Sequence, residues 1–489
     1  MVDISNKIES NRRPLNQIKS RKVIRLKQKR FRIALFAIFI LGLVVRITFV
    51  SLEAWHPIDW NNGALYHCFA YEMTQGKLYP SLATPTANHG ASISCLDFGG
   101  YSAQAPPLWP MVLAFFDELG FTTLGWQLII NCIINGLAVP LIGLVAKRVF
   151  GRKVGLVSSV IAALYPGMWL VSGMLTVESL ATVVTLGAVI MSYRFYERQN
   201  ISSAVLLGIM CGLSALTRSE LFLLAFLLVI PIFVSKHFKF NFRKKLKFAS
   251  IPVMIMLLMI APWVIRNNIV FKDFTWTSTD LGLTLGITDC NQVFYASPGA
   301  TFSLNSPSTE GSYADCNYPI VNGDESQGTA SAEHYAFKYV SHNLVRLPAV
   351  MVIRLGRMYQ LFDPLGEVRF DYNFEQWNYS WDVVKMIVFY FLFPLTLYGI
   401  YLAFTKKQFI WPILSLVLLE SFTVALFSYD CRFRVVAEEA FCILSAYSLT
   451  HFYNSGFTRL FTRNFISNLL EKWKNFMRLV IKFLIEAMT

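Results

Sequence analysis

The chain has 489 residues, of which 55% are hydrophobic and only 15% are charged, and its mean hydropathy is +0.47. This composition excludes a soluble globular protein and indicates a polytopic membrane protein. The net charge of +14 does not indicate a nucleic-acid partner. The basic residues are concentrated in 1–32, in 236–247 and in the C-terminal tail, beside apolar runs. Cytoplasmic loops of membrane proteins carry such an excess of Lys and Arg.

Apolar runs recur along the chain and predict an all-α polytopic membrane protein with about ten transmembrane helices (range nine to thirteen). The predicted spans are 33–51, 125–146, 154–174, 180–194, 203–217, 219–235, 248–265, 384–404, 408–428 and 436–453. The runs 203–217 and 219–235 are short enough for a re-entrant pair. Every short basic loop falls on the same side when both termini are cytoplasmic, so we predict that topology.

This threading divides the chain into parts. A basic cytoplasmic tail, 1–32, precedes an N-terminal transmembrane module, 33–265, which contains the outer loop 52–124 and which we expect to be catalytic. A large outer loop, 266–383, is followed by C-terminal transmembrane helices over 384–453 and a basic amphipathic tail over 454–489.

The outer segments make two further structural predictions. We expect helical structure from about 331 to 361, within the large outer loop. An oxidising exterior would permit the disulfides Cys68–Cys95 and Cys290–Cys316, each within its own loop, whereas Cys132 and Cys211 fall within spans.

Ionisable residues lie at the ends of the predicted spans, all on the face opposite the basic tail. They are Asp59, Glu178, Arg218, Arg266, Asp430, Arg432 and Arg434. Charge beside a bilayer is costly and usually functional. Carboxylates and guanidinium groups on one face predict an enzyme that acts at the outer membrane surface on an anionic, lipid-linked substrate.

The chemistry expected at such a face is sugar transfer from a polyprenyl phosphate, because nucleotide sugars are not available there. One carboxylate must act as base for the acceptor hydroxyl. Cationic groups must hold the phosphate and stabilise the charge that grows on it. A single in-line attack inverts the anomeric centre. The predicted partners are a polyprenyl-phosphate sugar donor, membrane lipids and an acceptor of the cell envelope.

Several stretches resemble one family, and they occur in its order. They are IDWNNGALYHCFAYEMTQGKLY (58–79), APPLWPMVLAFF (105–116), LYPGMWLVSGMLTVESL (164–180), GLSALTRSELFLL (212–224), APWVIRN (261–267), HNLVRLPAVMVIRLGRMYQLFDP (342–364) and DCRFRVVAEEAFCILSAY (430–447). The chain resembles the GT-C superfamily of polyprenyl-phosphate-sugar-dependent glycosyltransferases. The similarity is to the branch with protein O-mannosyltransferases and aminoarabinose transferases of lipid A, in a version common in actinobacterial members. It implies a GT-C-type helical bundle with a large outer loop region.

The resemblance implies an acidic base in the first outer loop, and this chain departs from the pattern there. The usual position, four residues before Tyr66, is Asn62, and Asp59 lies three residues earlier. Either Asp59 has taken the role of the base through a shift in the loop, or the base is lost. Asp59 would alternatively cap the helix that follows it.

The other implied site residues follow the same comparison. Glu178 matches the second acidic position of the family, or complements a helix dipole. Arg266, Arg432 and Arg434 match positions that meet the lipid phosphate, or anchor span ends at the headgroups. Arg218 either joins this phosphate site or pairs with Glu220 across a tight turn. Arg354 and Arg357 either add to the donor site or cap it.

No cofactor is firmly predicted. Asp59 and Glu178 are placed to share a divalent metal ion, but two carboxylates do not define a metal site, so none is predicted. A lipid or solute transporter, a polymerase or ligase of lipid-linked glycans, and a catalytically inactive relative stay as alternatives. The sequence leaves open a hexose or pentose as the sugar, and a protein, lipid or glycan as the acceptor.

Overall fold

The computed structural model describes residues 2–53, 63–82, 86–87, 93–95, 97–235, 241–295, 316, 323–373, 377–427 and 431–455, with side chains from Leu26 onward. The helices are α1 (Val2–Glu53), α2 (Gly63–Thr74), α3 (Leu108–Glu118), α4 (Leu124–Gly136), α5 (Ala138–Phe150), α6 (Arg152–Leu164), α7 (Pro166–Trp169), α8 (Glu178–Arg198), α9 (Ile201–Thr217), α10 (Leu223–Val234), α11 (Phe242–Val270), α12 (Asp280–Thr288), α13 (Asn291–Tyr295), α14 (Glu325–His342), α15 (Leu347–Met358), α16 (Pro364–Asn373), α17 (Tyr379–Thr405), α18 (Trp411–Leu426) and α19 (Arg434–Asn454). Short 3₁₀ turns lie at Leu170–Gly173, Ser219–Phe222 and Cys431–Phe433.

Two small antiparallel sheets lie between α2 and α3. Strand β1 (Pro80–Leu82) pairs with β4 (Asp97–Tyr101), and β2 (Thr86–Ala87) pairs with β3 (Ile93–Ser94). All other elements listed above are helical, so the prediction of an all-α membrane bundle is confirmed.

Each predicted span coincides with a helix, but the helices differ in how well they could cross a membrane alone. Five described helices are long and apolar enough: Leu26–Leu52, Leu124–Phe150, Glu178–Arg198, Phe242–Val270 and Tyr379–Thr405. A sixth is obtained when the pair Arg152–Leu164 and Pro166–Gly173, bent by 71°, is taken as one span. The helices over Ile201–Thr217, Ser219–Val234 and Trp411–Leu426 are apolar but shorter.

Helix α19 shows why the sequence pattern of the last span is weak. It carries Arg434, Glu438 and Glu439, and all three side chains are buried. The helix packs against α17, α6 and α18, so its charges face protein instead of lipid. A buried position between helices tolerates such charges because they find partners there.

The helix that carries Glu178 begins after a sharp break in the chain. Pro166 is the first residue of α7 and follows an extended Tyr165, which ends α6. Leu175, just before α8, has a φ of 52°. A non-glycine residue in this left-handed region is sterically disfavoured and is often found at functional sites.

The two long segments between the predicted spans agree with the predicted covalent and helical structure. Disulfides join Cys68 to Cys95 and Cys290 to Cys316. Helices α14 and α15 occupy most of the stretch over 331–361 that was expected to be helical. Both predictions are confirmed, and Cys132, Cys211 and Cys442 are free and buried. Helix α2 packs on α3, and much of its surface is buried.

A column of polar side chains crosses the bundle along α4. Gln127, Asn131 and Asn135 follow at intervals of four residues and are fully buried. At one end Gln127 meets His67 at 2.8 Å and donates to both Asp117 oxygens at 2.9 Å. At the other end Arg46 of α1 donates to Asn135 at 2.6 Å. The column pairs most of its polar groups, which would otherwise be costly inside a bundle, while Asn131 Oδ1 and Asn135 Nδ2 have no partner among the described residues.

Candidate functional site

A cavity of about 810 Å³ lies where α2, the start of α8, the turn after α9, α12 and the end of α18 meet. Its polar lining includes Tyr66, Glu178, Arg218, Glu220, Asp280 and Arg432. Its apolar lining includes Phe222, Trp276, Leu283, Ile287, Phe422 and Phe427. The cavity therefore offers charged groups beside a broad apolar wall, which suits a ligand with an anionic head and a hydrophobic body.

Four residues predicted from the sequence meet in this cavity: Tyr66, Glu178, Arg218 and Arg432. They come from four different elements, and the largest separation along the chain, from Tyr66 to Arg432, spans most of the protein. The charges of Glu178, Arg218 and Arg432 all act on the Tyr66 hydroxyl. Burial raises the pKa of Tyr66 well above its ordinary value, so the hydroxyl stays neutral and can donate a hydrogen bond.

Arg218 occupies the turn where the chain passes from α9 into α10. Its backbone is extended, with φ of −141° and ψ of 131°, so α9 ends at this residue. Its guanidinium lies 2.5 Å from Glu220 and 3.7 Å from Glu420, and it stacks over the Phe433 ring at 4.5 Å. Arg218 thus pairs with Glu220 across the tight turn, as one of the two predictions for this residue stated. The same guanidinium also lines the cavity.

Glu420 was missed from the sequence, although a signal was available. It is a lone carboxylate inside the apolar helix α18, it is fully buried, and it lies beside Arg218. A single acid within an apolar span is a functional candidate by itself. Neither carboxylate oxygen of Glu420 has a hydrogen-bond partner among the described residues.

Glu178 is the first residue of α8 and is only 3% exposed. Its Oε2 atom is buried without a hydrogen-bond partner in the part of the chain that the structure describes. The nearby Thr176 hydroxyl, which also lines the cavity, is in the same condition. Buried polar atoms are normally paired, so these two atoms are suited to bind a ligand in the cavity.

Asp280 is the site residue that sequence reasoning did not single out. It begins α12, its side chain is open to the cavity, and it lies in the electrostatic environment of Arg432. Burial in the cavity raises the pKa of the Asp280 carboxyl to about 6, although Arg432 acts in the opposite direction. In the sequence this residue is one of many polar residues in a long outer loop, and no spacing distinguishes it.

The remaining predicted arginines lie elsewhere and are bound to protein groups. Arg266 donates to the carbonyls of Ser102, Leu78 and Tyr79 at 2.7–3.2 Å. Arg434 pairs with Glu438 at 2.6 Å and donates to the Met358 carbonyl.

Arg354 and Arg357 of α15 are also outside the cavity lining. Arg354 pairs with Asp289 at 2.9 Å, and Arg357 pairs with Glu367. Both arginines are buried. Asp59, Asn62 and Asp430 lie outside the described residues, so the structure does not place them.

Among the described residues, no group of three or more His, Cys, Asp or Glu side chains is placed to hold a metal ion. Within the cavity, Glu178, Glu220 and Asp280 supply oxygen donors, of which Glu220 is engaged by Arg218.

The helical bundle, with several described helices long and apolar enough to cross a membrane, is that of a polytopic membrane protein with a charged cavity. Residues 104–265 match the family model described as dolichyl-phosphate-mannose-protein mannosyltransferase. This confirms the family resemblance predicted from the motifs. No curated protein matches the chain.

Solved structures show the same fold. The archaeal oligosaccharyltransferase AglB from Archaeoglobus fulgidus, in complex with an inhibitory peptide and a dolichol-phosphate, is similar at a TM-score of 0.52 with 14% identity, over 89% of this chain and 52% of that chain. Its apo form is similar at a TM-score of 0.50 with 14% identity, over 93% of this chain and 54% of that chain. For ArnT from Cupriavidus metallidurans bound to undecaprenyl phosphate, the TM-score is 0.41 with 12% identity, over 86% of this chain and 78% of that chain. The chain thus spans about half the length of the AglB chains it matches.

Proposed function

We propose that the protein is an inverting glycosyltransferase that moves a sugar from a polyprenyl-phosphate donor to an acceptor of the cell envelope. The observation that supports this most is the cavity in which Glu178 and Asp280 lie with Arg218, Arg432 and Tyr66, beside an apolar wall. Carboxylates suit proton removal from an acceptor hydroxyl, and arginines suit a lipid phosphate. The apolar wall suits the polyprenyl chain.

The proposal assigns roles to the residues predicted from the sequence. Arg432 and Arg218 bind the donor phosphate and stabilise the charge that develops on it as it leaves. A carboxylate accepts the proton of the acceptor hydroxyl, and Asp59 and Glu178 are the two predicted for this role. Tyr66 donates a hydrogen bond to the bound sugar or phosphate. The sugar and the acceptor stay unassigned.

The proposal also includes a place in the cell. The cavity faces the outer side of the cytoplasmic membrane, and both termini lie in the cytoplasm. This orientation is supported by the basic residues of the short loops and by the two disulfides, which form in oxidising compartments.

The first test is turnover by the full chain in lipid nanodiscs with a panel of polyprenyl-phosphate sugars. We expect release of polyprenyl phosphate with transfer of the sugar. Arg432→Gln should lower kcat/KM by about 10²-fold or more, because it removes a cation at the developing phosphate charge. Asp59→Asn and Glu178→Gln test whether either of these two carboxylates is required.

Arg369→Gln is the matched control, because Arg369 is an exposed arginine in the large loop 266–383 and does not line the cavity. It should leave the rate unchanged. Uptake or flipping of a lipid without any transfer would support the transporter alternative instead. Wild-type rates in Arg432→Gln would contradict the assigned phosphate site.

A further inference from the structure

Asp280 combines three properties that the other cavity carboxylates do not share. Its side chain is exposed and lines the cavity, its backbone N–H is hydrogen-bonded to Ser278, and the guanidinium of Arg432 lines the same cavity. We propose that Asp280 is the general base that takes the proton from the acceptor hydroxyl. This inference rests on the proposed function and assigns its acceptor-activating residue to α12.

The position of Asp280 is fixed by its two preceding residues. The Asp280 backbone N–H donates to the Ser278 hydroxyl at 3.0 Å, and that hydroxyl donates to the Gln104 carbonyl at 2.6 Å. The Thr279 backbone N–H donates to the Ala103 carbonyl at 2.9 Å. The start of α12 is therefore tied to the segment just before Pro106, which lines the same cavity. A base held in this way needs little reorganisation when the acceptor binds.

The charges around Asp280 come from three neighbouring elements. The charges that act on it are those of Arg432 in the turn before α19, Glu220 in the turn after α9 and Glu325 at the start of α14. Glu325 is occupied, because the Thr279 hydroxyl and the Ala103 backbone N–H both donate to it. Glu220 is paired with Arg218. With a pKa of about 6, the Asp280 carboxyl is ionised near neutral pH but more basic than an ordinary aspartate.

Asp59 lies outside the described residues, and the other candidates are less suited to reach an acceptor. Glu178 is only 3% exposed and shares its surroundings with Arg218 and Glu420, so it is better placed to balance the charge of Arg218. Asn62 is an amide and does not accept a proton at neutral pH. A base must come within about 2.6–3.2 Å of the hydroxyl that it deprotonates, and the open side chain of Asp280 can do this.

The proposed step is balanced without an oxidant or a further reactant. The acceptor oxygen forms a bond to the anomeric carbon. The bond from that carbon to the phosphate oxygen breaks, and its electron pair remains on the phosphate. The hydroxyl proton passes to the Asp280 carboxylate and is later released to water.

The test is the pH dependence of transfer by the full chain in nanodiscs, from about pH 4.5 to 8.5, with the donor found active in the panel. Wild-type kcat should fall as the pH drops below about 6, where Asp280 becomes protonated. Asp280→Asn should lower kcat by about 10²–10⁴-fold and abolish this acidic limb. Its affinity for added undecaprenyl phosphate should be unchanged or tighter, because a negative charge near Arg432 is removed.

Asp273→Asn is the matched control, since Asp273 is an exposed aspartate just before α12, and it should retain the wild-type profile. Asp280→Glu, which keeps the carboxylate, should retain part of the rate together with the acidic limb. Wild-type kcat in Asp280→Asn, or loss of undecaprenyl-phosphate binding by that variant, would overturn the role of Asp280 alone. A wild-type protein without turnover on any donor would overturn the proposed function and this inference with it.

Discussion

Arg218 shows what a buried charge costs at the scale of one residue. Its side chain is 5% exposed and that of Glu420 is fully buried, so both have lost their hydration. Such a pair contributes little net stability compared with apolar residues of the same size, yet removal of one partner leaves the other charge uncompensated. The charge of Arg218 in the cavity is therefore compensated by Glu220 and Glu420.

We predict that Arg218→Met lowers the free energy of unfolding by about 3–5 kcal/mol, because Glu420 is left buried and unpaired. The double variant Arg218→Met/Glu420→Gln should recover most of that loss. The measurement is denaturant unfolding of the purified protein in mixed micelles.

The control for this pair is Arg148 and Glu197, which also form an Arg–Glu ion pair, at 2.6 Å, but are exposed to solvent by 29% and 53%. Arg148→Met should lower the free energy of unfolding by less than about 1 kcal/mol. If Arg148→Met and Arg218→Met lowered the free energy of unfolding equally, burial would not determine the destabilisation caused by loss of the arginine.

Individual residues were predictable where a local pattern exposed them. Glu178, Arg218 and Arg432 stand at the ends of apolar runs, and the structure brings all three to one cavity. Asp280 was not predictable, because its importance depends on Arg432 and Glu220, which are distant in the sequence. Arg266 and Arg434 have the same local pattern as Arg432, but their backbone and carboxylate partners become visible only in three dimensions.

At the scale of elements, α15 connects two walls of the cavity. Arg354 donates to the Thr288 carbonyl at 2.9 Å, at the end of α12, and to the Leu426 carbonyl at 3.1 Å, at the end of α18. The Thr288 hydroxyl also donates to the Phe427 carbonyl at 2.9 Å. Arg354 thus satisfies carbonyl groups that helix ends leave without partners.

We predict that Arg354→Met lowers the melting temperature and raises KM for the donor together. The substitution unpairs Asp289 and releases the ends of α12 and α18, on which Asp280 and Phe427 depend. Lys338→Met on α14, an exposed position, is the control and should change neither value. Thermal unfolding followed in parallel with donor titration provides the measurement, and an unchanged KM in Arg354→Met would contradict the connection.

At the scale of the whole molecule, the sequence predicted the elements better than their packing. Every apolar run became a helix, because about 20 apolar residues in a bilayer have few alternatives to helical hydrogen bonding. The hydropathy of α19 does not explain how this helix is accommodated, because its charges are compatible with a membrane protein only when neighbouring helices surround them. The apolar run over 436–453 predicted this helix, but neither hydropathy nor the motifs predicted which helices surround its charges.

The proposed orientation predicts which cysteines react from outside. In right-side-out vesicles treated with a mild reductant, a membrane-impermeant maleimide should label Cys95, which is partly exposed and whose disulfide to Cys68 lies in a segment proposed to face outward. Cys132, Cys211 and Cys442 should stay unlabelled because they are buried. Peptide mapping by mass spectrometry identifies each site.

Arg198→Cys is the control for the opposite face, because Arg198 is exposed in a short basic loop. It should react only after the vesicles are permeabilised. Labelling of this cysteine in intact vesicles would reverse the proposed topology.

The polar column along α4 has a consequence for the way the protein enters the membrane. Arg46 lies within the first span, where a charged residue costs about 2.5–3.5 kcal/mol during insertion. Its partner Asn135 is synthesised 89 residues later. The first helix must therefore enter the bilayer on the strength of its apolar residues, with the Gly42 carbonyl of its own helix as a partner for Arg46 before Asn135 is synthesised. The order of synthesis thus becomes part of the folding mechanism, and exchange of the first span for a generic anchor would leave the Asn135 oxygen with the Ser172 hydroxyl as its remaining side-chain partner among the described residues.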